Sequence, residues 1–296
     1  MGGLRWPVAS SANNEQELFP QGLRVVGKGE YRGLEFFEVD AKTIINKVPG
    51  PPRFGFQYSI NAYRGCSHRC GYCFARPTHE YLGLNIAADF DTKIVVKRNA
   101  VERARAETSP VKWGGDLIAM GTNTDPYQAA EGKYRLTRGL LEVMVERANP
   151  VSILTKSSLV LRDIDVLQEL NEMTKVRVDF SVGTVDEAVW KATEPGTPHP
   201  MRRIEAVAKL KAAGIKSGVL MGPILPGISD SPEQLAATVQ AAVDAGAVSV
   251  GHVPLHLGPG VKAHFLEWIA SHRPDLLEVY AELYSGSGKQ ASAKYR

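Results

Sequence analysis

The stretch Tyr58-Ser59-Ile60-Asn61-Ala62-Tyr63-Arg64-Gly65-Cys66-Ser67-His68-Arg69-Cys70-Gly71-Tyr72-Cys73-Phe74 decides how the rest of the chain is read. Residues 58–63 (YSINAY) have the composition of a short strand, and Gly65 ends it. The three cysteines that follow are spaced C-x3-C-x2-C and are all the cysteines the chain has. Thiolates this close together must turn about a common centre or stand as exposed, oxidisable thiols. Three is also one short of the four ligands that iron–sulfur clusters and structural zinc sites usually take.

Two completions are open. His68 lies between the first two cysteines, so Cys66, His68, Cys70 and Cys73 could form a closed Cys3His zinc site. That site would crowd four ligands into eight residues, whereas structural zinc usually draws ligand pairs from separate segments. The other completion is an iron–sulfur cube held by three thiolates, with one iron lacking a protein ligand. An open metal position is what a catalytic site needs.

Composition sets few limits. The 296 residues are 44% hydrophobic and 23% charged, ordinary for a globular chain long enough to bury a core. No apolar run approaches the ~20 residues of a membrane span. The start lacks the apolar core of a secretory signal, and three clustered cysteines make no disulfide framework, so a cytoplasmic location and no membrane partner are expected. A net charge of +3 permits a nucleic-acid partner without requiring one.

Outward from the cysteines, the chain alternates. Residues 1–54 read as an N-terminal extension, a strap over the main body. It begins small and polar at residues 9–16, carries short strands near 23–26 and 34–39, and ends in the breaker Pro49-Gly50-Pro51-Pro52. The core is expected at 55–284. After strand one at 58–63, further principal strands read at 116–120, 151–155, 176–182, 215–221 and 248–253, with an additional β-rich run at 93–97. Amphipathic helices are expected at 134–148, where Leu136, Leu140, Met144 and Ala148 recur every four residues, from Asp163 as cap, and at 200–213. Ser231-Pro232-Glu233-Gln234 has the form of a capping box with proline at the first helical position. Shorter helices are expected at 74–82, 100–107, 262–271 and 274–284, and the Ser/Gly/Lys-rich tail 285–296 is expected to fray.

Six such strands alternating with helices imply an α/β fold with a parallel sheet and right-handed crossovers. A partial (β/α)6 TIM-type barrel fits this count; a doubly wound open sheet is the competing layout. In both, ligands gather at the C-terminal ends of the strands. The cysteine loop, the loop 122–128, Lys156-Ser157-Ser158 and residues 181–183 would then all face one end.

The motif C-x3-C-x2-C after a first strand, with an aromatic before the last cysteine, resembles the signature of radical S-adenosylmethionine (radical SAM) enzymes. Further segments, NAYRGCSHRCGYCFARPTHEY, GTNTDPYQ, SILTKS and EPGTP, resemble the spore photoproduct lyase-like family of that superfamily, in a branch labelled "DNA repair photolyase" by similarity. The resemblance covers roughly residues 58–256. It implies a [4Fe–4S] cluster on Cys66, Cys70 and Cys73, with S-adenosylmethionine chelated to the free iron and cleaved to a 5′-deoxyadenosyl radical. It also implies an electron donor such as flavodoxin or ferredoxin. Tyr72 or Phe74 would lie near the adenine, Thr124 near the methionine end, Lys156 on the carboxylate and Ser181 near the ribose. A lysine at a strand end is independently suited to a zwitterionic ligand's carboxylate.

One departure stands out. The lyase returns a hydrogen atom from a further cysteine after its second strand. That place falls here at Gly121 or Thr122, and there is no fourth cysteine. Spore photoproduct repair by that route is therefore not expected. Tyr127 is a candidate for radical transfer, and His252 and His256 are candidates for the substrate end of the barrel. The sequence does not identify the substrate; nucleic acid is what the family resemblance suggests, with a peptide or small metabolite as the enzyme alternative. A zinc- or cluster-stabilised nucleic-acid-binding module is the non-enzyme alternative.

Overall fold

The computed structural model describes residues 22–50, 55–286, 289–293 and 295. The polar start at 9–16 and the pair Pro51-Pro52 lie outside the described residues. Eleven strands are formed among the described residues: β1 (Leu23–Val26), β2 (Glu35–Val39), β3 (Ile45–Lys47), β4 (Tyr58–Ile60), β5 (Tyr63–Arg64), β6 (Lys93–Lys97), β7 (Ile118–Met120), β8 (Val151–Thr155), β9 (Val176–Ser181), β10 (Lys216–Ile224) and β11 (Val250–Pro254). Seven make one sheet in the order β11-β10-β9-β8-β7-β4-β3. From β4 to β11 every pairing is parallel and follows chain order, so the sheet winds in one direction as a partial TIM-type barrel. A doubly wound sheet would reverse its strand order at a switch point, and no reversal occurs.

The register assigns the faces. Ile60, Met120, Ile153, Val178, Phe180 and Val219 are buried on the side of the helices Leu136–Glu146, Ile164–Met173 and Pro200–Ala212. Those helices return Leu140, Met144, Leu167, Leu170, Ile204, Val207 and Leu210 to the same core. Each such side chain contributes roughly 1.5–3 kcal/mol of apolar burial. The alternate residues, among them Leu154, Asp179 and Gly218, share one register row on the inner face.

Several elements differ from expectation for local reasons. The first strand divides at Asn61-Ala62: β4 joins the barrel while β5 joins a second sheet, β1-β2-β6-β5. Asn61 is spent on the next loop, donating to Thr122 Oγ1 at 3.1 Å and accepting from the Asn123 amide at 3.0 Å. The run at 93–97 is β6 of this small sheet, parallel to β2. The helix expected over 134–148 forms at Leu136–Glu146, and a short additional helix, Ala129–Tyr134, precedes it, the two separated by Arg135 in the left-handed region at φ 52°. Asp163 does not cap its helix. Its carboxylate instead accepts from Arg162, Arg138 and Tyr127 in a buried network. The capping box at Ser231 and Gln234 forms, with the Ser231 hydroxyl accepting from the Gln234 amide.

The N-terminal segment takes part in both sheets. β3 adds an antiparallel edge to β4, and Phe36 and Ile44 are completely buried in the main core. The tail, expected to fray, returns to the body at its described residues. Gln290 bridges to His256, Ala291 is buried, and the Tyr295 hydroxyl donates to Asp230 at 2.8 Å.

Candidate active site

The cysteine loop leaves β5 through Gly65, whose φ of +81° and close approach to His79 and Phe90 leave no room for a side chain. The Cys66 amide donates to Phe90 O at 2.9 Å, and the Arg76 guanidinium, also buried, donates to Cys70 O at 3.0 Å. Cys66 and Cys70 are buried and Cys73 is partly so. Burial pushes the Cys73 thiol up to about 11, with nearby Cys66 adding to it; burial, then Glu194, raises Cys70 well above the ordinary range. Thiols raised in this way give up their protons when they take up a metal, so metal binding is coupled to proton release.

The donor set favours a cluster over a closed zinc site. His68 turns its Nδ1 to Asp125, 3.4 Å away, with Cys66 also beside it. Burial pulls the His68 imidazole down, but neighbouring Cys66 and Asp125 outweigh it and raise it to about 10. Among the described residues, no three His, Cys, Asp or Glu side chains converge as a single metal ion's ligands would. Three soft thiols with one ligand missing suit an iron–sulfur cluster with an open iron.

Two loops brace the cysteines from below. The Thr124 hydroxyl donates to Gly65 O at 2.6 Å, and Gln128 donates to both Gly65 O and Thr124 Oγ1 while accepting from the Ser67 amide. Asp125 accepts from Thr155 Oγ1 at 2.7 Å and from the Lys156 amide at 2.6 Å, so one carboxylate joins His68 to the end of β8. Burial would raise Asp125, but His68 and these donors leave its carboxyl below the usual range.

The second brace is the turn Glu194-Pro195-Gly196-Thr197. The Gly71 amide donates to Thr193 O and the Gly196 amide to His68 O, both at 3.1 Å. A Cβ on Gly196 would stand 2.2 Å from Ser67 O, so only glycine permits this approach. Glu194 is buried and sits at the centre of the charges. The Tyr72 hydroxyl donates to its Oε1, Lys156 Nζ lies 3.1 Å from the same oxygen, and Arg203 Nη2 lies 2.7 Å from Oε2. Burial would push this carboxyl up; Arg203, Lys156 and Tyr72 outweigh it and hold the group well below the carboxylate range.

Lys156 also donates to Ser181 Oγ at 2.6 Å and to Gly222 O at 3.2 Å, and its ammonium lies 5.7 Å from the centre of the Tyr72 ring. The structure therefore gathers Tyr72, Lys156, Ser181 and the cysteine loop at the C-terminal ends of the strands, with Thr124 directly behind the loop. Phe74 points outward and is 65% exposed. Tyr127 is buried in the main core, its hydroxyl donating to Asp163. His252 is exposed and registered with Met221, on the helix-facing side of β11, and His256 lies at the bridge to the tail.

Arg203 and Gln128 were not picked out from sequence. Arg203 had a readable signal: it falls on the apolar stripe of its helix, four residues before Val207 and seven before Leu210. A charge there has to meet a buried partner. Gln128 had none, since a glutamine after Asp125-Pro126-Tyr127 looks like any loop residue.

No helix among the described residues is long and apolar enough to cross a membrane. The sequence profile of the Radical SAM superfamily matches residues 60–239. An uncharacterised protein of Mycobacterium tuberculosis is 40% identical over 262 residues, covering 88% of this chain and 77% of that protein. An uncharacterised protein of Methanocaldococcus jannaschii is 32% identical over 199 residues, covering 67% and 70%. A radical SAM Nalpha-GlyT isomerase of Pseudomonas phage M6 is 24% identical, covering 60% of this chain and 35% of that protein. Among solved structures, a spore photoproduct lyase variant superposes with a TM-score of 0.63 at 16% identity, covering 90% and 86%. The lyase complexed with dinucleoside spore photoproduct gives 0.59 at 16%, covering 85% and 80%. The fold is shared with that lyase, and the chain belongs to the radical SAM superfamily of enzymes.

Proposed function

We propose that the chain carries one [4Fe–4S] cluster on Cys66, Cys70 and Cys73, binds S-adenosylmethionine against Lys156 and Ser181, and acts on a nucleic-acid substrate. The observation that carries this is Lys156, a largely buried ammonium at the end of β8, within reach of Tyr72 from the cysteine loop. When bound, the cluster and S-adenosylmethionine supply a one-electron cleavage that yields a 5′-deoxyadenosyl radical for hydrogen abstraction. A small electron donor such as flavodoxin or ferredoxin delivers the electron.

The chain's own residues do the rest. Lys156 offers its charge to the methionine carboxylate, and Ser181 orients the ligand without adding charge. Tyr72 sets its ring beside Lys156 and its hydroxyl on Glu194, while Thr124, Gln128 and Asp125 fix the loop from behind. Nucleic acid is favoured as substrate because structures of the same fold hold a dinucleoside lesion. The outcome would differ from that lyase's, because a cluster on Cys66, Cys70 and Cys73 leaves no thiol as hydrogen donor.

Anaerobic reconstitution tests the reading. A brown protein with a broad band near ~400 nm is expected for iron–thiolate charge transfer. Dithionite with S-adenosylmethionine is expected to yield 5′-deoxyadenosine, and Cys70→Ala to abolish both. A colourless protein holding one zinc would overturn it. Deuterated oligonucleotide should pass deuterium into the recovered 5′-deoxyadenosine; unlabelled product with every oligonucleotide tried counts against the substrate class.

A further inference from the structure

Lys156 has three N–H donors, and the protein uses all of them: Glu194 Oε1 at 3.1 Å, Ser181 Oγ at 2.6 Å and Gly222 O at 3.2 Å. A ligand carboxylate can gain a hydrogen bond from this ammonium only by replacing one of the three. Ser181 and Gly222 form a closed triangle with the lysine, since Ser181 Oγ also donates to Gly222 O at 2.7 Å. Both acceptors are neutral and remain compatible with an arriving anion. Glu194 is the acceptor that is not, because two carboxylates on one ammonium repel each other.

Glu194 is also able to give the lysine up. Its Oε2 is held by Arg203 at 2.7 Å, and its Oε1 keeps the Tyr72 hydroxyl. Arg203 in turn donates to Ser181 O at 2.8 Å and to Thr197 Oγ1 at 2.6 Å, which fixes the carboxylate in place whether or not Lys156 is bound to it. Lys156, Arg203 and Glu194 together carry a surplus of one positive charge, which one further carboxylate would neutralise.

We propose that Glu194 is a positioning residue that occupies the ligand-carboxylate place on Lys156 until S-adenosylmethionine displaces it. Glu194 keeps the ammonium paired and aimed ahead of ligand binding, and its competition sets the affinity for any ligand bearing a carboxylate at that position. This rests on the reading of Lys156 given above.

The test compares S-adenosylmethionine with its decarboxylated analogue, by calorimetry on the anaerobically reconstituted full chain. Glu194→Gln keeps the shape and one acceptor oxygen, which can stay with Arg203, while its amide nitrogen donates to the Tyr72 hydroxyl oxygen and the competing charge is removed. It is expected to bind S-adenosylmethionine roughly fivefold tighter, about the gain of freeing one partly desolvated ion pair. Affinity for the decarboxylated analogue should be unchanged, which a general loosening of the site would not produce. Equal changes for both ligands, or weaker S-adenosylmethionine binding in a variant with full iron content, would overturn the proposal. Lys156→Ala separates the two levels. If it leaves S-adenosylmethionine affinity unaltered, the reading of Lys156 falls and the proposal with it. If it weakens binding while Glu194→Gln changes nothing, only the role of Glu194 falls. Should Glu194→Gln fail to load iron, Arg203→Lys supplies the second arm. It loosens the hold on Glu194, strengthens the carboxylate's pairing with Lys156, and should weaken S-adenosylmethionine binding selectively; unchanged binding would overturn the proposal.

Discussion

Arg203 spends its guanidinium on Pro198 O, Ser181 O, Thr197 Oγ1 and the Glu194 carboxylate, and almost none of it reaches solvent. Replacing it with methionine fills the space and leaves Glu194 buried with one cation fewer. Breaking a buried pair in this way costs about 3–5 kcal/mol, and the urea midpoint of Arg203→Met should fall accordingly. The same pair fixes the direction of one pH effect. Glu194 has a folded-state value below its ordinary 4.5, so it stabilises the fold above that value and the contribution is lost as pH falls towards the folded value. The stability difference between the native chain and Glu194→Gln should therefore shrink as the buffer is taken from about pH 6 to about pH 3. A difference that grows on acidification would mean Glu194 is not held ionised by its neighbours.

At the level of elements, the turn at Glu194–Thr197 and the cysteine loop act as one piece. Gly196→Ala would drive a Cβ into the Ser67 carbonyl, so the loop must move off the turn. The variant should retain its helical circular dichroism yet take up less iron per chain on reconstitution. The helix Pro232–Asp244 offers a contrast, since Ser231→Ala removes a capping box whose reciprocal hydrogen bonds join only Ser231 and Gln234. It should cost about 1 kcal/mol and leave iron uptake unchanged. These elements also show what a sequence discloses. The six parallel strands and the capping box were legible because hydrophobic periodicity and cap chemistry are local. So was the cysteine loop, whose spacing is itself the signal. β3 was not legible: three residues, Ile45, Asn46 and Lys47, become a strand only because β4 offers them an edge. The short helix Ala129–Tyr134 before Arg135 and the diversion of Asp163 from cap to buried network were hidden for the same reason, tertiary partners overriding local preference. In the site, the side chains proposed to touch a ligand were named by resemblance. Arg203 and Gln128, which act through other residues, had to be seen in place.

Across the whole molecule, residues before the cysteine motif are integral to what supports it. β2 pairs with β6, β6 pairs with β5, and β5 delivers Gly65 to the cysteines. Phe36→Ala should cost about 3–5 kcal/mol and lower the iron content, although Phe36 is nowhere near the sulfurs in sequence. Normal iron content in a variant destabilised by that much would show that the small sheet does not govern the loop. The same wiring has a consequence during synthesis. From β4 onward each barrel strand pairs with the one made before it, so the large sheet can grow at its free edge as the ribosome delivers chain. β5 cannot do this, because its one partner, β6, ends at Lys97. Until residues up to Lys97, and then the braces at 124–128 and 193–197, have been made, the three thiols lack the contacts that bury them.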